Sequence, residues 1–199
     1  MPPSLSRRQV LAGAATAGAG AILGSALPGD AWAATGQFDV IVVGAGAAGM
    51  TAALRAAKRG LSVVVVEKAP TFGGSAARSG AGIWIPNNEV ILAAGVPDTP
   101  AKAATYLAAV VHGDVPTEKQ QAFLANGPGM ISFVLGNSPL RFRFMTGYSD
   151  YYPELPGGMP QGRSIEPDLF DGKLLGAELA NLNPAYMPTP AGVSVFSSE

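Results

Sequence analysis

The sequence contains no cysteine and a single histidine, His112, among 199 residues. Without thiols there is no disulfide, no thiolate metal site, no iron–sulfur ligation and no cofactor tethered through sulfur. One histidine cannot build an imidazole-rich metal centre. Its place after an Ala/Val-rich segment and before Gly113-Asp114 suits a helix C-terminus or a loop. Charge is scarce as well, at 14% of residues with a formal net charge of -1, so there is no electrostatic case for nucleic acid or an anionic membrane as partner. The acids Glu89, Asp98 and Glu118 show no metal-ligand spacing and read as solvated faces or helix caps, and no metal is expected. There is no internal repeat and no long run of one charge, and nothing in the pattern specifies an oligomeric state. The partners left open are small molecules.

What the chain does have is 48% hydrophobic residues and 26 glycines, and their order is informative. Phe38-Asp39-Val40-Ile41-Val42-Val43 is a β-branched run of the kind buried in a parallel sheet, and it leads into Gly44-Ala45-Gly46-Ala47-Ala48-Gly49. Gly44 permits a tight turn, Gly46 lets a pyrophosphate approach the backbone, and Gly49 lets the following helix pack against the strand. Ala47 to Arg59 reads as that helix, its first amides and its dipole suited to a diphosphate, with Gly60 ending it. A second strand, Leu61 to Val66, ends at Glu67, where an acid accepts hydrogen bonds from an adenosine ribose. Gly44, Gly46, Ala47, Ala48, Gly49, Glu67 and the adjacent Lys68 are therefore candidate dinucleotide-binding residues. The expected fold is α/β, a Rossmann-like domain on a parallel sheet. The turn alone does not separate NAD from FAD.

The continuation from Glu67 to Pro86, with Phe72-Gly73-Gly74-Ser75-Ala76-Ala77-Arg78-Ser79-Gly80-Ala81-Gly82, resembles the fumarate reductase and succinate dehydrogenase flavoprotein superfamily. The resemblance implies non-covalently bound FAD, with Gly73, Gly74 and Ser75 beside its pyrophosphate and Ser79, Gly80 and Gly82 along the isoalloxazine ring. Small residues let a flat ring lie against main-chain amides. Trp84, in the apolar Ile83-Trp84-Ile85, is expected in the core rather than as a substrate platform.

A narrower resemblance is carried by Ser79 to Asn88, by Gly147-Tyr148-Ser149-Asp150-Tyr151-Tyr152-Pro153-Glu154 and by Gly162-Arg163-Ser164-Ile165-Glu166-Pro167, which are similar to 3-ketosteroid Δ1-dehydrogenases. These enzymes desaturate C1-C2 of a 3-ketosteroid, passing a hydride to flavin N5 while a tyrosinate-like base removes a proton from C2, and they hand the electrons to an external acceptor. The resemblance implies that Tyr151 assists the base. Tyr148 and Tyr152 are expected to be structural, and Asp150 to be a turn residue or helix cap. In that family the main tyrosine base and the tyrosine and glycine that bind the 3-keto oxygen lie in the later half of chains more than twice as long, as does the closing part of the flavin domain. The chain is accordingly expected to be an N-terminal portion: residues 37–199 would begin the FAD-binding domain, incomplete here, with a substrate or cap region starting near residue 100. The alternatives are a fumarate-reductase-like enzyme acting on another activated alkene, or an inactive, exported flavin-binding remnant. A dicarboxylate substrate needs converging arginines and histidines, whereas a steroid needs an apolar slot with tyrosines.

At the N-terminus, Ser6-Arg7-Arg8-Gln9-Val10-Leu11, a weakly hydrophobic Ala/Gly-rich run and Ala31-Trp32-Ala33 form the pattern of a twin-arginine signal over residues 1–33. Such a route exports folded proteins, which suits one that takes up a flavin beforehand. Further along, Asn87 to Val90 reads as a helix start or a turn, Thr99 to Val111 as a helix with Pro100 at its first position, and Thr117 to Ala125 and Gly129 to Leu135 as two more. Leu140 to Met145 alternates like a half-buried strand with Arg141 and Arg143 on its solvent face. The prolines and glycines from Pro153 to Gly162 predict an irregular loop bordering a site.

Overall fold

The computed structural model describes residues 36–185. The expected signal at 1–33 lies outside the described residues. The chain divides into two compact units, one ending at Lys68 and the other beginning at Ala69.

The first unit is the β-α-β motif. Strand β1 (Val40–Val43) pairs in parallel with β2 (Val63–Val66), Val40 opposite Val63 and Val43 opposite Val66. The two are joined by helix α1 (Ala47–Ala57). Both strands are continuous β-branched runs, favoured on a pleated surface because their χ1 freedom is already restricted. Helix α1 stops in the way glycine permits: Gly60 adopts φ 80°, its N–H donates to the Ala57 carbonyl at 2.9 Å, and Leu61 donates back to Ala56 at 3.2 Å. A pair the sequence had not announced fastens the strand starts, where Ser62 Oγ donates to Asp39 Oδ2 at 2.7 Å and the Asp39 N–H donates to Ser62 Oγ at 3.0 Å.

The second unit holds a three-stranded antiparallel sheet in the order β3 (Ile83–Trp84), β5 (Ser164–Pro167), β4 (Phe142–Phe144). Its central strand β5 had no sequence signal beyond one apolar residue, Ile165, because it is flanked by loop residues and carries the charged Glu166. Among the described residues the unit also holds three α-helices, α2 (Glu89–Ala93), α3 (Pro100–Val111) and α4 (Thr117–Asn137), and a 3-10 helix at Gly172–Asn181. Asn88 caps α2 by accepting from the N–H groups of Val90 and Ile91, and Thr99 caps α3 by accepting from Lys102. Helix α4 corrects the expectation of two helices broken near Gly127-Pro128. It runs unbroken through Pro128. An internal proline costs on the order of 3 kcal/mol. Offsetting that, the last three turns bury Gly127, Ile131 and Val134, and a Cβ on Gly127 would stand 3.0 Å from Ile85. Ile85, Ile91, Val96, Ile131, Met159 and Ile165 form one core cluster, each buried aliphatic side chain contributing about 1.5–3 kcal/mol.

Candidate functional site

Within the first unit the glycine turn has the geometry its sequence requires. Gly44 sits at φ 98°, a conformation that a side chain would strain, and a Cβ on Gly49 would stand 1.9 Å from the Gly44 carbonyl oxygen. Around Gly46 no atom comes within 4 Å of an added Cβ, so the mouth of the turn is open to a ligand. Gly46 is also the N-cap of α1, with no side chain capping the helix and no acid in its first turn. The first amides, at Ala47, Ala48 and Gly49, have no intrahelical acceptor, and the helix dipole favours an anion there. Glu67 closes the motif: its Oε2 accepts the Ala45 N–H at 2.7 Å, which holds the carboxylate at the turn. Lys68, its exposed neighbour, ends the unit.

Within the second unit, Gly73 and Gly74 both have positive φ, 103° and 55°. They lead into a 3-10 turn at Ala76–Arg78, with Ser75 before it and Ser79 after it. A segment that the sequence did not single out braces this turn. Phe72 donates to the Asn181 carbonyl and accepts from the Asn183 N–H, at 2.9 and 2.8 Å, and Asn183 Nδ2 donates to the Gly74 carbonyl at 2.9 Å. Such a contact spans more than a hundred residues and leaves no local pattern. Beyond it, Ser79 Oγ accepts the Ala81 N–H at 2.8 Å, and Ala81 itself takes φ 57°, so Ser79, Gly80 and Gly82 form an exposed bend of small residues.

The same unit contains a cavity of about 250 Å³. It is lined by Tyr106, Leu107 and Val110 of α3, by the segment Tyr148 to Tyr152, and by Gly82, Trp84, Met145 and Ser164. Tyr151 is 78% exposed, and its hydroxyl lies 3.2 Å from that of Tyr148. The hydrogen bond to Tyr151, and secondarily burial, holds the Tyr148 phenol above the usual tyrosine pKa. Burial does the same to Tyr106, whose oxygen accepts the Tyr152 N–H at 3.2 Å. Trp84 differs from its expected role: it packs against Phe123, the ring planes 3° apart, and also forms part of the cavity wall.

Two acids need correction. Asp98 is not a solvated face or a helix cap, and Asp150 is not merely a turn residue: both carboxylates are buried around the guanidinium of Arg163. Asp98 Oδ1 accepts from Arg163 Nε at 3.0 Å, and Asp150 Oδ2 accepts from Arg163 Nη1 and from the Met159 N–H. Asp150 Oδ1 accepts the Trp84 indole N–H at 2.8 Å. Residues this far apart in sequence give no hint that they meet. The low overall charge was the one available clue, since an acid retained in an apolar chain is worth a search for a partner. Arg141 and Arg143 are exposed as expected, although Arg143 also pairs with the buried Glu166 at 2.9 Å.

Residues 39–196 match a family model described as the FAD binding domain. The chain belongs to that family. FAD is thus its cofactor, and the open Gly46 turn, the uncapped helix start and the placed Glu67 carboxylate fit the adenosine diphosphate half of such a group. The chain is 58% identical over 163 residues to the 3-oxosteroid 1-dehydrogenase of Mycobacterium tuberculosis (strain ATCC 25618 / H37Rv), an alignment covering 82% of this chain and 29% of the relative. It is 56% identical over 166 residues to the 3-oxosteroid 1-dehydrogenase of Mycolicibacterium smegmatis, covering 83% and 29%. Among solved structures it is similar to the 3-ketosteroid Δ1-dehydrogenase of Sterolibacterium denitrificans in complex with 1,4-androstadiene-3,17-dione, with a TM-score of 0.71 and 46% identity over 75% of this chain and 26% of that one. The chain thus spans less than a third of the length of these relatives. Among the described residues no helix is long and apolar enough to cross a membrane.

Proposed function

We propose that the chain is the N-terminal part of an FAD-dependent 3-oxosteroid 1-dehydrogenase, which removes hydrogen from C1 and C2 of a 3-ketosteroid and passes the electrons to an external acceptor. The observation that carries the reading is the cavity. Its wall is mostly aromatic and aliphatic, with tyrosine hydroxyls, Ser149, Ser164 and the acid Asp150, and with no arginine, lysine or histidine among the described residues lining it. A polycyclic ketone fits such a surface, whereas a dicarboxylate would need cations. Similarity to the steroid dehydrogenases supports the same choice.

When bound, FAD supplies the hydride acceptor. Gly44, Gly46 to Gly49, Glu67 and Lys68 are assigned to its adenosine diphosphate half, and Gly73, Gly74, Ser75, Ser79, Gly80 and Gly82 to the pyrophosphate and ring. Tyr151 acts on the substrate side. The Tyr148 and Tyr151 hydroxyls lie 3.2 Å apart and either can donate; with Tyr148 donating, the Tyr151 O–H is left to donate into the cavity. A hydrogen bond delivered there stabilises the phenolate form of a tyrosine base before it takes the proton alpha to the ketone, lowering its pKa toward the working range.

The test is anaerobic mixing of the full-length, FAD-loaded protein with a Δ4-3-ketosteroid, and of its reduced form with fumarate. Bleaching of the flavin absorbance by the steroid is expected; reoxidation by fumarate with no bleaching by steroid would overturn the assignment. We also propose twin-arginine export, on the strength of Arg7-Arg8 and the apolar run behind them. Replacing both arginines by lysine should leave the full-length protein inside the cell, as read by fractionation, and unchanged export would exclude that route.

A further inference from the structure

The side chain of Arg163 is wholly buried, yet the chemistry proposed above does not use it. Its guanidinium donates in three directions: Nε to Asp98 at 3.0 Å, Nη1 to Asp150, and Nη2 to the Gly157 carbonyl at 2.7 Å. The rings of Tyr106 and Trp84 lie over it, with centroids 5.3 and 5.9 Å away. Burying three ionised groups is costly, and packing an apolar side chain there would hold two loops together as well. What the apolar choice could not supply is a direction.

Asp150 receives that direction and transmits it. Both its oxygens are engaged, by Arg163, the Met159 N–H and the Trp84 indole, and its own N–H donates to the Met159 carbonyl at 3.1 Å. The next residue is Tyr151, whose ring is 78% exposed. A residue so exposed is placed by its backbone together with the Tyr148 side chain, whose hydroxyl lies 3.2 Å from its own. The approach of the two loops is equally specific, since a Cβ on Gly162 would stand 1.8 Å from the Tyr148 carbonyl oxygen. Lysine could not replace the arginine, because an ammonium on a flexible stem lacks the planar fork that serves three acceptors at once.

We propose that Arg163 is a positioning residue: by clamping Asp150 it fixes the main chain from which Tyr151 projects, and thereby aims the Tyr151 hydroxyl into the cavity. This rests on the assignment of Tyr151 to catalysis, and the experiment separates the two. Steady-state turnover of a Δ4-3-ketosteroid is measured with the full-length, FAD-loaded protein as wild type, Tyr151→Phe, Arg163→Lys and the double variant. Tyr151→Phe should lower kcat at least about tenfold, and Arg163→Lys should lower kcat about tenfold with KM changed less than about twofold. In the Tyr151→Phe background, Arg163→Lys should cost less than about twofold more, because the group it aims is gone. Additive losses, or a change confined to KM, would overturn the proposal while leaving the role of Tyr151 intact. Wild-type kcat in Tyr151→Phe would remove the catalytic assignment and this proposal together. Should Arg163→Lys fail to retain FAD, Asp98→Asn loosens the same clamp from outside the cavity lining. It should show the same dependence on Tyr151, and kcat equal to wild type would overturn the proposal.

Discussion

The glycine turn of Gly44 to Gly49 and the cavity behind Tyr151 are built on opposite principles. At the turn the chain offers a ligand main chain and omitted side chains: an open space at Gly46, a close approach at Gly49, and amides at the start of α1. Only Glu67 contributes a side chain, and it too bonds to backbone, at Ala45. The cavity, in contrast, is walled chiefly by side chains, and one of them, Asp150, belongs to a buried cluster of one arginine and two aspartates. Main-chain recognition suits a ligand part shared by many proteins, a diphosphate, because every chain carries amides. A cavity of side chains suits a ligand part that differs between proteins, since wall residues other than Asp150 can be exchanged while the clamp stays in place.

Breaking each half should give a different failure. The largest effect is expected at Gly49→Val, where the branched side chain would be driven into the Gly44 carbonyl; the full-length protein should be isolated without flavin, as measured by its absorbance per mole of protein. Arg163→Met should come next. It leaves two buried carboxylates without their cation, which costs about 3–5 kcal/mol, seen as a lower midpoint in chemical unfolding. FAD should still bind in that variant at temperatures where it stays folded, and loss of flavin from a folded protein would break the contrast between the regions.

Glu67→Ala tests the one side chain at the turn. Losing a hydrogen bond to a charged group costs about 1.5–3 kcal/mol, so the dissociation constant for FAD should rise roughly 10- to 100-fold, with KM for the steroid unchanged. The smallest effect sharpens the cavity side. Tyr148, through its bond to Tyr151, and Tyr106, through burial, hold their protons more tightly in the folded state than in the unfolded one. Their contribution is fully present below the ordinary tyrosine pKa of about 10 and is lost as pH rises through the raised folded values. Unfolding midpoints should therefore decline in that alkaline range, and the decline should be shallower in Tyr148→Phe.

The two regions also differed in how well they could be read from sequence. Strand β1, the Gly44 turn, helix α1 and Glu67 follow one another within thirty residues, and each step has a local cause: β-branched strands, a missing Cβ, a helix that ends at Gly60. Asn88 and Thr99 were legible for the same reason, since caps are short-range chemistry. Pro128 misled because its local cost is real but was outweighed by the burial of Gly127 and Ile131 against distant partners. The strand β5 and the Asn181–Asn183 brace left no periodic pattern at all.

By itself, then, the order of residues determined a dinucleotide fold and marked the tyrosine segment as worth attention, because backbone conformation and short-range spacing obey rules that act over a few positions. Tertiary structure alone decided that Asp98, Asp150 and Arg163 share one buried site, that Trp84 faces a cavity as well as a core, and that Asn183 supports the Gly73-Gly74 turn. Those meetings depend on where distant segments lie once the apolar core has closed, and a buried charge becomes tolerable only when that closure brings its partner alongside.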